Sequence, residues 1–206
     1  MSAVSPNTRR RFLQASAASL GLAALARPAL AMAGDTALVA AAKSGLERAG
    51  AQVLLRDVVG VADFSQPSRL PRLHLVDLAG GRVDSRLVAH GRGSDPGHTG
   101  WLSSFSNAPG SAATSEGDYV TGDYYVGHHG RSMRLAGVDP TNSNALAREI
   151  VVHSAWYVGP ELVRAHGMLG RSEGCFAVSD SDLPEVLARL GPGRLLVAAK
   201  LQRSFL

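Results

Sequence analysis

The sequence predicts a mainly β domain of the α+β class, with helices at its periphery. Several short segments alternate apolar and polar residues with a period of two, and Gly, Asn, Asp and Pro residues form turn signals between them. The clearest example is the pair of segments 72–78 and 83–89. They alternate on either side of the turn Ala79-Gly80-Gly81 and predict a β-hairpin.

Four further segments are typical of strands. Residues 119–121 and 124–126 flank Gly122-Asp123, which predicts a second hairpin. Residues 132–135 and 195–201 are also expected to be strands. The β-branched run 150–152 predicts a buried strand that ends at His153.

Helical signals occur in three places. Residues 35–49 carry apolar residues at helical spacing, with Asp35 or Thr36 as the expected N-cap and Gly50 just past the end. A short helix is predicted over 161–166. Residues 182–185 resemble a capping box with proline in the first turn, and they predict a helix that ends near Leu190.

The N-terminus predicts an export signal. Residues 8–14 look like a twin-arginine motif, an apolar run follows over 15–26, and Ala31-Met32-Ala33 offers small residues for a signal peptidase. We expect a cleaved signal over 1–33 and a mature domain over 34–206, exported to the periplasm. An uncleaved helix that anchors the chain to the inner membrane is the alternative. No membrane span is expected in the mature form, because Arg27 and Pro28 interrupt the apolar run too early.

The charge balance argues against a nucleic-acid partner. The chain has a formal net charge of +4, with 21 Lys and Arg against 17 Asp and Glu. Residues 1–33 hold four arginines and no acid, so the mature chain has no excess of either sign. Nucleic-acid-binding domains usually carry a basic patch. Here the excess of positive charge lies in the signal segment, and the mature domain has none.

The single cysteine, Cys175, invites two interpretations. It cannot form a disulfide within the chain, and an isolated cysteine is commonly a small buried core residue. A cysteine nucleophile needs a base, usually a histidine, and backbone freedom so that N–H groups can face a developing oxyanion. His153 at a strand end and Gly174 beside Cys175 meet both needs. Glu173 argues mildly against activation, because a neighbouring negative charge raises the pKa of a thiol.

The segment from His153 to Ser172-x-Gly174-Cys175 resembles the peptidoglycan L,D-transpeptidases, whose signature is a histidine followed by Ser/Thr-His-Gly-Cys. The similarity extends over most of the mature chain. The further matching pieces are residues 63–65, 88–94, 105–107, 115–119, 134–135 and 150–153. Residues 91–117, rich in Gly, Ser, Asn, Asp and Pro, separately predict a long loop of a length that is often functional.

The resemblance implies a β-sandwich with peripheral helices and a role for each matched position. Cys175 would be the nucleophile, His153 its base and later acid, and the Ser154 carbonyl the group that orients the histidine. Gly174, Ser172 and Arg171 would form the oxyanion and substrate-binding loop. This chain departs from the family where Glu173 replaces a histidine and where no arginine follows shortly after the cysteine.

The implied reaction is acyl transfer on peptidoglycan stem peptides, through a thioester on Cys175, giving 3→3 crosslinks or a related exchange. No metal or organic cofactor is implied, and carbapenem-type inhibitors are expected to react. With water as the acceptor the same site would be an L,D-carboxypeptidase or other cell-wall peptide hydrolase. A catalytically silent wall-binding module is the third interpretation. The histidines at 90, 98, 128, 129 and 166 fit no zinc-binding spacing.

Overall fold

The computed structural model describes Met1 and residues 21–202, with side chains from Asp35 onward. Two compact units divide the chain, Met1–Gly34 and Asp35–Leu206. The twin-arginine motif at 8–14 and the first part of the apolar run lie outside the described residues, and cleavage after Ala33 stays a prediction. Within the described part of the chain, no helix is both long and apolar enough to cross a membrane.

Eight strands and three α-helices make up the described fold, with 3₁₀ turns at Gly50–Gln52 and Arg92–Ser94. In chain order the elements are α1 (Gly21–Ala49), β1 (Val58–Asp63), β2 (Leu73–Asp77), β3 (Arg82–Arg86), β4 (Gly117–Gly127), β5 (Gly130–Gly137), β6 (Val151–Ser154), α2 (Pro160–His166), β7 (Phe176–Val178), α3 (Leu183–Leu190) and β8 (Leu195–Ala199).

All eight strands form one mixed sheet in the order β3-β2-β1-β8-β4-β5-β6-β7. Two neighbouring pairs are parallel, β1 with β8 and β6 with β7, and the other pairs are antiparallel. The predicted class, mainly β with peripheral helices, is confirmed.

The sheet curls around one hydrophobic core. Leu75 on β2, Leu135 on β5 and Phe176 on β7 belong to the same buried cluster, although β2 and β7 lie near opposite ends of the strand order. Beyond β3 the chain returns to pair at Ala89 with Ala177 on β7. The two layers expected of a sandwich are therefore two halves of a single sheet, and α3 fills the core between them through four buried residues.

A second cluster covers the outer face of β1, β2 and β8. Val59 and Val61 of β1 point into it, while Ala62 points into the main core, as the two-residue period of a strand requires. The residues of α1 that pack here are Leu38, Ala42, Leu46 and Ala49. This spacing follows one face of a helix and confirms the predicted amphipathic segment.

Two sequence predictions are wrong in detail. Gly122-Asp123 is not a hairpin turn, because β4 continues from Gly117 to Gly127 and the register with β5 shifts between Thr121 and Tyr124. The glycine lies in a β-bulge, and the turn falls at His128-His129 instead. Helix α1 does not begin at Asp35 either, because residues 29–33 are strong helix formers and the helix continues through them.

Candidate active site

His153 and Cys175 lie on neighbouring parallel strands. His153 is in β6, and Cys175 directly precedes β7. His153 pairs with Ala177, so Cys175 lies beside Val151, two residues back along the same face. This offset is roughly 7 Å along the strand. The sheet register thus brings together the two residues on which the sequence argument depended.

Both side chains line one cavity of about 690 Å³. The cavity lies between the β6–β7 edge of the sheet, the tip of the β4–β5 hairpin and the loop that precedes β4. Its charged and titratable lining, besides His153 and Cys175, comprises Arg92, Arg148, Arg171, Glu149, Glu173, Tyr157, His128 and His129.

The histidine is held in one tautomer. Its Nδ1 lies 2.8 Å from the Ser154 carbonyl oxygen, so Nδ1 carries the hydrogen and donates it. The lone pair of the neutral ring is then on Nε2. The residue is only 1% exposed. Burial lowers the pKa of His153, although the Ser154 hydrogen bond opposes this, and the electrostatic effect of His129 lowers the pKa further.

The thiol is partly exposed, and its Sγ lies 3.4 Å from the Glu149 carbonyl oxygen. Burial raises the pKa of Cys175 above its ordinary value, while a backbone hydrogen bond from Val151 and the charge of Arg148 oppose the rise. Glu173 and Glu149 add to it. At neutral pH the site therefore holds a thiol and a neutral imidazole, and not a preformed ion pair.

The turn before Cys175 is braced by Ser172. Its hydroxyl donates to the Cys175 carbonyl at 2.7 Å and accepts the Gly174 N–H at 3.2 Å. A neighbouring segment of the same chain also holds this turn in place, through a β-bridge between Gly91 and Ser172. The Gly174 amide, which the resemblance implies for an oxyanion site, thus has a weak partner within the loop.

Gly174 also requires a backbone that other residues rarely adopt. Its φ is +124°, and a Cβ there would lie 2.8 Å from the Ala113 carbonyl oxygen. The loop therefore needs glycine both for its conformation and for its close approach to residue 113.

Arg171 lies on the cavity wall and is tied to the opposite loop. Its Nη1 donates to the Asp95 carbonyl oxygen and, at 3.4 Å, to that of Pro96. Glu173, where the family signature has histidine, is directed to the surface, where it pairs with Arg92 at 2.8 Å. Both partners of this pair are more than half exposed, so solvent weakens its electrostatic effect on the thiol.

Arg148 is a site residue that the sequence argument missed. It donates to the Ser106 carbonyl at 2.8 Å, to the Ser115 hydroxyl at 2.7 Å and to the Ala113 carbonyl at 2.5 Å. It thereby holds the long loop before β4 against the cavity, and its charge also acts on Cys175. The available signal was its position shortly before the buried strand that carries His153.

Two buried polar side chains, Arg72 and His90, contact each other behind the site. Arg72 is 0% exposed and donates to the Val88 and Gln66 carbonyls and, at 2.6 Å, to Nδ1 of His90. The backbone of His90 accepts the Ser172 N–H at 2.9 Å. His90 Nε2 lies 3.5 Å from a carboxylate oxygen of Asp95 and has no closer polar partner among the described residues. Burial and the Arg72 charge lower the pKa of His90 to about 3.

The fold and the site define a curled β-sheet protein with a cysteine and a histidine in one cleft. The model of the family described as the L,D-transpeptidase catalytic domain matches residues 33–198. The chain belongs to this family, and the resemblance noted in the sequence is confirmed. No curated protein matches the chain.

Solved structures of the same class are similar at low identity. An L,D-transpeptidase from Mycobacterium smegmatis is 15% identical, with a TM-score of 0.41, and the match covers 69% of this chain and 58% of that one. An L,D-transpeptidase from Mycobacterium tuberculosis is 17% identical, with a TM-score of 0.43 and coverages of 69% and 57%. The helical cell shape determining protein Pgp2 from Campylobacter jejuni is 10% identical, with a TM-score of 0.47 and coverages of 70% and 47%. The chain spans less than two thirds of the length of each.

The close approach at Gly174 gives a first prediction. Gly174→Ala is expected to push the loop away from residue 113 and to lower the rate at which Cys175 reacts with a carbapenem by roughly ten- to a hundred-fold. The control is Gly167→Ala, which also has a positive φ, of 73°, but no atom within 4 Å of the added Cβ. Equal losses in the two variants would show that backbone strain, and not the contact, is responsible.

His90 gives a second prediction, for the free energy of unfolding. The unfolded chain binds a proton at this histidine near its ordinary pKa of 6.5, whereas the folded chain does not until about 3. Stability is therefore lost as the pH falls between these values. Chemical denaturation should show that the wild type loses about 2 kcal/mol more than His90→Gln between about pH 6.5 and 4.5. Parallel stability curves would contradict this assignment.

Proposed function

We propose that this protein is a cysteine acyltransferase that acts on peptidoglycan stem peptides. The observation that carries the proposal is the pairing of β6 with β7, which directs a tautomer-fixed imidazole and the chain's one thiol into a common cavity. Membership of the L,D-transpeptidase catalytic domain family supplies the substrate class. Cys175 is the proposed nucleophile, His153 the base, and Ser154 the residue whose carbonyl orients it.

The chemistry begins with proton transfer. Because burial disfavours both the thiolate and the imidazolium, the Cys175 proton moves to His153 Nε2 as the sulfur attacks, rather than beforehand. Sγ forms a bond to the carbonyl carbon of the residue at stem position three, and the carbonyl oxygen becomes an oxyanion. Backbone N–H groups of the turn at Gly174 and Cys175 are the proposed donors to it.

Collapse of this intermediate breaks the amide bond to D-alanine at position four. His153 returns its proton to the departing amine, and a thioester remains on Cys175. A side-chain amine of a neighbouring stem then attacks the thioester, and His153 accepts the proton of that amine. The second collapse releases the sulfur, which recovers its proton from His153, and leaves a 3→3 crosslink.

The cavity is suited to an anionic peptide. Arg92, Arg148 and Arg171 line it, against the two carboxylates Glu149 and Glu173. Arg171 lies on the cavity wall, directly before Ser172, and a guanidinium is suited to pairing with a peptide carboxylate. We propose that it contributes to substrate binding, together with Ser172. Carbapenems, which acylate thiols of this kind, are the proposed inhibitors.

Product analysis tests this proposal. With a disaccharide-tetrapeptide as the only substrate, the mature protein should release D-alanine and form a crosslinked dimer. Cys175→Ala should abolish both products, and His153→Gln should lower the rate by roughly 10²–10⁴-fold because the general base is lost. His166→Gln, an exposed histidine at the end of α2, is the matched control and should retain the wild-type rate.

Two outcomes would contradict the transferase. Tripeptide formed without any dimer would identify a hydrolase that uses the same thiol. Full-length tetrapeptide recovered together with unmodified Cys175 after carbapenem treatment would identify a wall-binding module.

A further inference from the structure

The tip of the β4–β5 hairpin reaches the proposed catalytic histidine. The hairpin closes with the pair Gly127 and Gly130, which leaves His128 and His129 as the two turn residues. Strand β5 pairs in turn with β6, where Ser132 lies opposite His153. His129, the turn residue three positions before Ser132, therefore lies over β6, the strand that carries His153.

His129 stacks on His153. The two ring centroids are 4.1 Å apart and the ring planes are inclined by 18°. Both rings line the same cavity. His129 is itself exposed, whereas His153 is only 1% exposed, so the outer ring lies between the inner one and bulk water.

The inner ring needs this second contact. The hydrogen bond from Nδ1 to the Ser154 carbonyl fixes one edge of the imidazole, but a single bond leaves the ring free to tilt about it. A parallel ring at stacking distance restricts that tilt. General bases act within a narrow geometry, and their rotamers are usually fixed by packing.

The stacked ring also acts electrostatically on the inner one, because it lowers the pKa of His153. Of the titratable side chains that line the cavity, His129 is the one whose electrostatic effect on the pKa of His153 is resolved. A positive charge on the outer ring disfavours a second one on the inner ring, which favours the neutral imidazole that accepts a proton from the thiol.

We propose that His129 is a positioning residue, which holds the imidazole of His153 in its reactive orientation by stacking on it and shields it from bulk water. This role rests on the proposed function of His153 as a general base. His129 touches neither the nucleophile nor the substrate in this account, and it acts only through the ring beneath it.

The test compares His129→Ala, which removes the stacked ring, with His129→Phe, which keeps an aromatic ring that cannot bind a proton. The first readout is independent of activity. NMR titration of the histidine ring protons, with the His153 signal assigned from its loss in His153→Gln, reports both the ring environment and the pKa. The second readout is the rate of acylation of Cys175 by a carbapenem at neutral pH. His166→Ala is the matched control.

His129→Ala should shift the His153 ring signal, raise the pKa of His153 toward its ordinary value and slow acylation roughly ten-fold. His129→Phe should retain the acylation rate within about three-fold, because the stack persists. The control should change neither readout. The melting temperature of each variant shows whether the fold is intact, and an exposed turn residue should leave it unchanged.

The proposal is overturned if the ring signal and pKa of His153 are the same in His129→Ala as in the wild type, or if His129→Phe loses as much activity as His129→Ala. A wild-type protein that forms no acyl adduct would defeat the proposed function instead. The NMR readout would still decide whether the two rings stack in solution.

Discussion

The parallel pairing of β6 with β7 is the constraint on which the site depends. β7 has only three residues, and its position is fixed from both sides, by the ladder with β6 and by the bridge between Ala177 and Ala89. Phe176, immediately after Cys175, is fully buried in the main core, where its ring packs edge-to-face on Tyr119 at 5.4 Å. The placement of Cys175 is therefore set by the packing of the whole curled sheet and not by its loop alone.

Burial has opposite consequences for the two reacting groups, and together they favour a neutral resting site. The thiol is less acidic than usual and the imidazole less basic. In the proposed mechanism, proton transfer between them therefore waits for the substrate. The positive charge of Arg148 opposes the rise in the pKa of Cys175. The same guanidinium holds the loop that forms the far wall of the cavity. Arg148 therefore both lowers the pKa of the thiol and shapes the cavity.

The sequence predicted those features that depend on local patterns. The hairpin of β2 and β3, the helix α3, the strand before His153 and the Gly174-Cys175 turn all follow from periodicity or turn chemistry. The bulge in β4 was misread because Gly-Asp is equally a turn signal, and only the long-range ladder with β5 selects the bulge. The contacts of Arg148 and His129 could not be predicted, since each joins residues more than twenty positions apart in the sequence.

Mass spectrometry of the protein after brief exposure to a tetrapeptide stem, stopped in acid, is the most direct test of the central claim. The account predicts a covalent adduct on the peptide that contains Cys175, equal in mass to the stem without its terminal D-alanine. It also predicts that the adduct disappears when an amine acceptor is added before the quench. An unmodified Cys175 in a protein that releases D-alanine would contradict the account.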